Sequence, residues 1–518
     1  MKRKLQQFFS KIGKYNTMAD QYKRAADSAP DHAMAYVNWG VDLVSEGKLA
    51  EALEKFEKAT HIAPQRAETF TNWGVALARA NRLDEAIEKF EQALALDPLS
   101  ANAQMMWGAA LVEKGDFEGA SQRYEKAMEL APDNPEPHVN QGIAMAKIGK
   151  HGEAIQAFKS ALAIHSYQPY VYFLWGAVLA EIGQYAEAIE KFKITLRFMP
   201  NHGDSLYFWS VSLNRLGKYE EALEKSRQAL TQHTDKAEAY LNQGDILGSL
   251  QRWEVAIENY RHAVTLNPEY AEAYLSWGVA LYKLGETEEG IKKLEKAREL
   301  KADLPQVNAH LGQVLIAQQQ YTKALPILEA ACNENPDDIE ALLNWAVCLI
   351  KTGQNEQALE KLQAIEVIDR WNPQVHYLLG THYMGAGEYE KASEHLKKAL
   401  TEEPDFPDAA INYALVLCEL GNTQEAIRQM RPVIRKMQDS ASAQFYYGMV
   451  LGRHGDTKEA HSKLTKAIEL NPDYIEPRMA LAELAHSQNN PDEARQWLEA
   501  VLALNPQHAG ALEKLQTL

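Results

Sequence analysis

Cysteine is nearly absent. Cys332, Cys348 and Cys418 are the whole complement of a 518-residue chain. An odd number at these spacings fits no disulfide framework, zinc site or redox pair. All three fall where helices are expected and read as small apolar residues of a reducing compartment, so the cytoplasm is the expected location. Long apolar runs are missing too, and none approaches the roughly 20 residues that a bilayer-spanning helix needs. Near the N-terminus Phe8 and Phe9 give way at once to Ser10 and Lys11, so no signal-peptide core is present. Positive charge is in deficit: 54 Lys and Arg stand against 71 Asp and Glu, for a net charge of −17. That balance excludes a broad phosphate-neutralising face and hence nucleic acid as partner.

Catalytic patterns are lacking as well. There is no phosphate-binding Gly-x-x-x-x-Gly-Lys-Ser/Thr loop, no His-Glu-x-x-His, no Gly-x-Ser-x-Gly and no calcium loop. Gly47-Lys48, Gly149-Lys150 and Gly217-Lys218 fall in turns. The 16 histidines are scattered without metal-ligand spacing. The expectation is a protein that is not an enzyme, with no cofactor, no metal and no catalytic residue.

What is present is repetition. Asn-Trp-Gly stands at 38–40 and again at 72–74, and Met106-Trp107-Gly108 follows at the same interval of 34 residues. A 34-residue frame with Gly40 at position 8 runs from Ala33 to His508 without insertion or deletion and holds fourteen copies. Position 8 is Gly, Ala or Ser throughout. Position 20 is Ala in every copy except Gly290. Position 15 is Gly, Asn or Gln, and position 32 is Pro in nine copies. Apolar residues recur at helical spacing on both sides of position 15, as in Tyr36, Trp39, Gly40 and Leu43, then Leu49, Ala52, Leu53, Phe56, Ala59 and Ile62. Each copy therefore reads as helix A, a turn, helix B and a second turn. Glycine at position 15 supplies the left-handed residue that ends helix A. Proline at position 32 lacks the N–H that would continue helix B. Small residues at 8, 20 and 27 let helix backbones approach, and large ones at 4, 7, 11 and 24 fill the space between them. Trp at position 7 (39, 73, 107, 175, 209, 277 and 345) reads as core rather than as a ligand site.

This pattern resembles the tetratricopeptide-repeat family. Ala237-Glu-Ala-Tyr-Leu-Asn-Gln-Gly244 and Ala271-Glu-Ala-Tyr-Leu-Ser-Trp-Gly278 come close to its consensus, although position 7 in the family is usually Leu. The resemblance implies an all-α fold, a right-handed superhelical solenoid of tandem helix-turn-helix repeats, with the A helices lining a concave groove. The expected organisation is a degenerate N-terminal repeat over 1–32, fourteen repeats over 33–508 and a capping helix over 509–518. In the first segment Gly13, Tyr22, Ala25 and Pro30 occupy frame positions 15, 24, 27 and 32. Its Leu5, Phe8, Phe9 and Ile12 form a basic amphipathic pattern among residues 1–24. That pattern reads either as an anionic-membrane contact or, preferably, as helix A of the worn repeat. Some family members carry a catalytic domain after the repeats; here the repeats run to 508, and none is expected.

The resemblance also implies that positions 2, 5, 6, 9, 12 and 13 face the groove. Position 9 is mostly aliphatic (Val41, Val75, Ala109, Ile143, Ala177, Val211, Val279, Val347), giving an apolar floor. Position 2 is acidic in eight copies, Glu68, Glu136, Asp204, Glu238, Glu272, Glu340, Asp408 and Glu476, giving an acidic edge. The clamp by which some members hold a C-terminal carboxylate needs Lys at position 5 and Asn at 9, and no copy has either. Position 6 is Asn at 38, 72, 140, 242, 344 and 412. An amide both donates and accepts, so such a column can pair with the main chain of an extended peptide. It resembles the asparagine ladder of O-linked N-acetylglucosamine transferase repeats, with Met106, Leu174, Phe208 and Tyr446 as interruptions. Two readings stand: a peptide-binding ladder, or a consensus residue that bonds within the solenoid. Position 13 carries Arg79, Lys147, Arg215, Lys283 and Lys351 in alternate copies, with Arg453 as an exception, which suggests growth by two-repeat duplication.

The expected function is a protein–protein interaction scaffold or adaptor whose groove takes extended or helical segments of partner proteins. The competing expectations are a structural assembly protein that self-associates through its terminal repeats, and the targeting subunit of an enzyme complex.

Overall fold

The structure is a computed structural model that describes residues 18–29, 31–302, 304 and 306–518, with side chains from residue 22 onward. Among these residues the protein is all-α, with thirty helices and no strand. The helices follow the 34-residue frame. Helix A occupies positions 1–13 in most repeats, as in Ala67–Arg79 and Pro169–Glu181, and helix B starts at position 17 in all fourteen, as in Leu83–Leu96 and Tyr185–Phe198. Among the described residues no helix is long and apolar enough to cross a membrane.

Position 15 is the hinge of every hairpin. Its ten glycines have φ between 74° and 95°, and the four substitutes, Asn81, Gln251, Gln319 and Asn489, adopt φ of 57–59°. All fourteen copies thus end helix A on a left-handed residue, which Gly takes without cost and Asn or Gln with some strain. The peptide N–H that follows bonds back into helix A, as Lys48 N to the Leu43 carbonyl at 2.9 Å. Repeat 9 departs from the pattern. Its first helix begins late, at Val307, after Gln306 at φ 74°.

Position 8 is small because of position 24. A Cβ placed on Gly40 would lie 2.7 Å from Phe56, one on Gly74 2.6 Å from Phe90, and one on Gly142 2.5 Å from Phe158. Carbon atoms at rest lie about 3.5–4.0 Å apart, so helix B can bring its ring onto helix A only where that Cβ is missing. Every aromatic at position 24 faces Gly at position 8, and Ala at 8 (346, 414, 482) occurs only opposite Leu or Met. Repeat 6 meets the same constraint with two small residues, Ser210 and Ser226, both buried. Ala at positions 20 and 27, such as Ala52 and Ala59, is fully buried.

The chain divides into two compact units, Met1–Pro268 and Glu269–Leu518. They differ in what fills position 24. In the first unit it is Phe or Tyr except at Ser226; in the second it is Leu or Met throughout. Within each unit a helix packs on its sequence neighbours, and helix A also touches helix A of the next repeat.

At the N-terminal end the described helix is Met18–Ser28. Its buried residue is Ala26, whereas Ala25, the frame's position 27, is exposed. The backbone nevertheless keeps the frame, since the helix ends at position 30 and Ala29 N bonds to the Ala25 carbonyl as Ala63 N does to that of Ala59; only the buried side chain differs. Leu5, Phe8, Phe9, Ile12, Gly13 and Pro30 lie outside the described residues. At the other end the helix Ala509–Thr517 lays Ala511 and Leu515 on Ala482, Leu498 and Val501 of the last repeat.

Candidate functional site

The exposed stripe of helix A is set by what its other faces bury. Positions 3, 8 and 11 lie against neighbouring helices, as Val171, Gly176 and Leu179 do in repeat 5, and positions 6 and 9 are left between core and solvent. Position 9 is half-buried in repeats 2 to 13 and exposed at Val41 and Glu483. Val75 and Val279 each border a buried apolar cluster of their own unit, and Val347 is half-buried.

In repeats 4 to 6 this stripe deepens into a trough. Ile143, Ala177 and Val211 from position 9 form its floor. Ala146 and Ala180 from position 12 and Leu174 and Phe208 from position 6 form its walls. It encloses about 1300 Å³ of non-protein space, part of it open to solvent. The rim carries Lys147, Glu181 and Arg215 from position 13. Lys147 is held by Glu113 at 2.8 Å, and Glu181 lies 3.8 Å from His151. The floor rests on aromatic rings: Phe208 stacks on Phe192 with centroids 6.3 Å apart and meets Phe173 at 5.9 Å. Phe208 occupies an asparagine position, so the ladder is interrupted at the trough. None of the six asparagines lines the trough.

The asparagines fall into two groups. Asn242 is buried and donates to Ser210 Oγ at 2.7 Å, from position 6 to position 8 of the preceding repeat. Asn412 donates to Thr381 Oγ1 at 3.2 Å, again one repeat back. Where the preceding repeat carries a hydroxyl at position 8 or 9, the amide is spent inside the protein. Asn38, Asn72, Asn140 and Asn344 are half-buried. Their amides form no hydrogen bond among the described residues, which leaves both donor and acceptor available. Asn38, Asn72 and Asn140 belong to the first unit and Asn344 to the second.

The acidic column at position 2 is partly neutralised by the protein itself. Asp204 takes Lys236 at 2.8 Å and His233 at 3.0 Å. Burial pushes the Asp204 carboxyl up, but the Lys236 hydrogen bond and charge, with His233, outweigh it and hold the group below its ordinary value. Glu272 pairs with Lys301 at 3.1 Å and Glu68 with Arg66 at 3.0 Å. Glu340 accepts from Gln313 at 3.0 Å. These acids sit in the first turn of helix A, where negative charge also favours the helix dipole.

Trp at position 7 is a packing residue with a partner that inspection of single positions does not show. Lys or Arg at position 23 of the same repeat stands over each of the seven indoles. Arg123 lies 3.4 Å from the Trp107 centroid, Lys191 3.9 Å from Trp175, Lys293 4.1 Å from Trp277 and Lys361 4.1 Å from Trp345. Lys55, Lys89 and Lys225 cover Trp39, Trp73 and Trp209 at 4.2–4.9 Å. Lys463 stands 5.9 Å from Tyr447 in the same relation. The other repeats, which lack Trp or Tyr447 at position 7, carry no Lys or Arg at 23. The constant interval of sixteen residues was the available signal. Trp107 is buried and the other six are half-buried.

One cluster has no signal in sequence spacing. Glu366, His376 and His395, from three different helices, bring one ligand atom each to within 4.8 Å of one another. Burial holds the His395 imidazole below its ordinary value. No comparable group of three His, Cys, Asp or Glu occurs elsewhere among the described residues. The three cysteines are buried and unpaired, and burial pushes the Cys332 and Cys348 thiols up to about 11.

Comparison with known proteins points one way. Family models described as tetratricopeptide repeat match residues 11–67, 67–100, 315–381, 383–445 and 453–518, and a model described as TPR repeat matches 108–149 and 244–285. No curated protein matches the chain. Similar solved structures include the crystal structure of the APC/C hetero-tetramer Cut9–Hcn1, with 14% identity over 93% of this chain and 96% of that one and a TM-score of 0.46. They also include the crystal structure of YrrB, a TPR protein with an unusual peptide-binding site, with 29% identity over 36% of this chain and 96% of that one and a TM-score of 0.33. A third is the structure of Naa15/Naa10 bound to HypK-THB, with 15% identity over 96% of this chain and 92% of that one and a TM-score of 0.32.

Proposed function

The chain belongs to the tetratricopeptide-repeat family, and on that premise we propose that it is a non-catalytic scaffold whose helix A stripe holds segments of partner proteins. The observation that carries this reading is the trough of repeats 4 to 6. Its floor and walls are aliphatic and aromatic groups held half-open to solvent, and an apolar surface of that kind gains by being covered. Its charged rim of Lys147, Glu181 and Arg215 restricts what can lie across it. The occupant is a protein segment with aliphatic side chains at its centre and charged residues of both signs at its flanks.

The free amides of Asn38, Asn72 and Asn140 suit the main chain of an extended segment lying along the stripe of the first unit, and that of Asn344 suits one on the second. Asn242 and Asn412 are excluded from that role by their bonds to Ser210 and Thr381. The test is capture of partners from native extract by three full-length proteins: the wild type, a trough variant with Ala177→Glu and Val211→Glu, and a ladder variant with the four free asparagines changed to Ala. Loss of one set of proteins from the still-helical trough variant supports the trough. Loss from the ladder variant alone places binding on the amides. Persistence in both refutes a helix A site and favours the terminal repeats as the contact.

A further inference from the structure

We propose that Glu366, His376 and His395 form a three-ligand site for a divalent transition-metal ion of the zinc class, with water as the fourth ligand. The residues come from helix B of repeat 10 (Asn355–Ile368), helix A of repeat 11 (Pro373–Gly385) and helix B of repeat 11 (Tyr389–Glu402). A metal there ties two successive repeats together.

The tautomer of His376 follows from its surroundings. Its Nε2 lies 2.9 Å from the Arg370 carbonyl oxygen, an acceptor, so the ring proton is on Nε2. Nδ1 of the neutral ring then carries a lone pair, and it points at His395 Nδ1, 3.1 Å away. A histidine whose far N–H is fixed by a main-chain carbonyl is the usual arrangement for a metal ligand, since it sets both tautomer and ring direction. The His376 side chain is only 1% exposed, so solvent does not compete for that lone pair.

The distances suit a small ion. Two nitrogens bound to zinc at about 2.0–2.1 Å in tetrahedral geometry lie roughly 3.3–3.4 Å apart, close to the 3.1 Å found between the two Nδ1 atoms. Glu366 Oε1 lies 3.9 Å from His376 Nδ1 and the three ligand atoms lie within 4.8 Å of one another, so the carboxylate needs to close by roughly 0.5–1.5 Å to complete the set. Its side chain is 30% exposed and free to make that adjustment. Two neutral imidazoles and one carboxylate form a borderline donor set, which favours zinc and its neighbours over calcium or magnesium. Binding also requires balance at His395. With no ion present, one proton lies between the facing Nδ1 atoms and belongs to His395. The metal displaces it to His395 Nε2, so the ring stays neutral and no proton need be released.

The experiment uses the untagged full-length protein, freed of metal and titrated with zinc against a chromophoric chelator. Cobalt(II) serves as a spectroscopic stand-in. One zinc equivalent of at least micromolar affinity is expected. It weakens tenfold or more in Glu366→Gln and in His395→Gln and is unchanged in His151→Gln. Both substitutions fall on partly exposed side chains, so the buried His376 need not be disturbed. Zinc should slow amide exchange in residues 355–402 and leave the other repeats as they were. Cobalt should give the intense visible bands of a four-coordinate ion in the wild type only. A chain that takes up no zinc at micromolar concentration, or binding that survives both substitutions, overturns the proposal. So would a hydrogen-bonded His376–His395 pair whose exchange is indifferent to added metal.

Discussion

The coupling between positions 8 and 24 can be tested in repeat 2 by Gly74→Ala, Phe90→Leu and the double variant. A methyl group added at Gly74 would lie 2.6, 2.8 and 2.9 Å from three atoms of the Phe90 ring, so the ring must retreat by roughly 1 Å to reach ordinary contact. Phe90 is fully buried and clustered with Leu77 and Ala86, which leaves it little room. Overpacking of this kind costs about 1–3 kcal/mol, while Ala in a helix interior gains about 1 kcal/mol over Gly. The net loss expected for Gly74→Ala is about 0–2 kcal/mol. Phe90→Leu alone should cost a similar about 1–2 kcal/mol through lost burial. In the double variant the pair becomes the one that repeats 10 and 14 already use, Ala346 with Leu362 and Ala482 with Leu498. The clash goes and the helix gain stays, so the double variant should be more stable than the sum of the single variants by about 1–3 kcal/mol. A long array does not unfold in one step, so the quantity to measure is local opening, by amide exchange of peptides within residues 67–96. A coupling below about 0.5 kcal/mol would mean that helix A can move off the ring and that position 8 is small for some other reason.

Three further outcomes are expected. Lys191→Met leaves the Trp175 ring without the ammonium 3.9 Å from its centre; local opening of repeat 5 should become easier by about 0.5–1 kcal/mol, and equal exchange rates in the two proteins would show the contact to be incidental. Burial lowers the imidazoles of His138, His202 and His310 below their ordinary values; the unfolded chain therefore takes up protons first, and their contribution is whole above pH ~6.5 and declines as pH falls through the folded values. The urea concentration at which helix is first lost should fall between pH 7.5 and 5.5, with a smaller fall in His310→Asn, and an onset that stays flat or rises contradicts this. Cys332 and Cys348, with thiols pushed up to about 11, should resist a thiol reagent at pH 7 in the folded protein and react fully in denaturant; rapid labelling of the native chain would show that their helices open readily.

The frame, the hairpin turns and the small-residue positions were legible in the sequence because each repeat is a local unit. The left-handed residue at position 15 is required within one hairpin, and even Gln251 and Gln319 obey the pattern there. Pairs at a constant interval, such as Trp73 with Lys89, were equally present in the text and depend on comparing two columns at once. The division of the asparagines was harder. Position 6 looks uniform, and only a hydroxyl one repeat earlier, at Ser210 or Thr381, decides whether the amide is occupied. At the N-terminal end Ala25 keeps its frame position in the backbone hydrogen bonds, yet it is Ala26 that is buried, so the frame foretold the helix end and not the buried face. Glu366, His376 and His395 lay beyond reach because they sit at unrelated frame positions and meet only when helix B of one repeat is laid on both helices of the next.

Within each unit, substantial packing among the described residues joins helices no more than two apart in the order. Among the described residues neither unit therefore shows a long-range tie to resist tension. Pulled from its ends, such an array yields as a spring that gives way hairpin by hairpin, each 34-residue repeat releasing about 110–120 Å of chain. A partner gripped across several repeats would then act as a splint, and its departure would register as a change in stiffness before any change in fold.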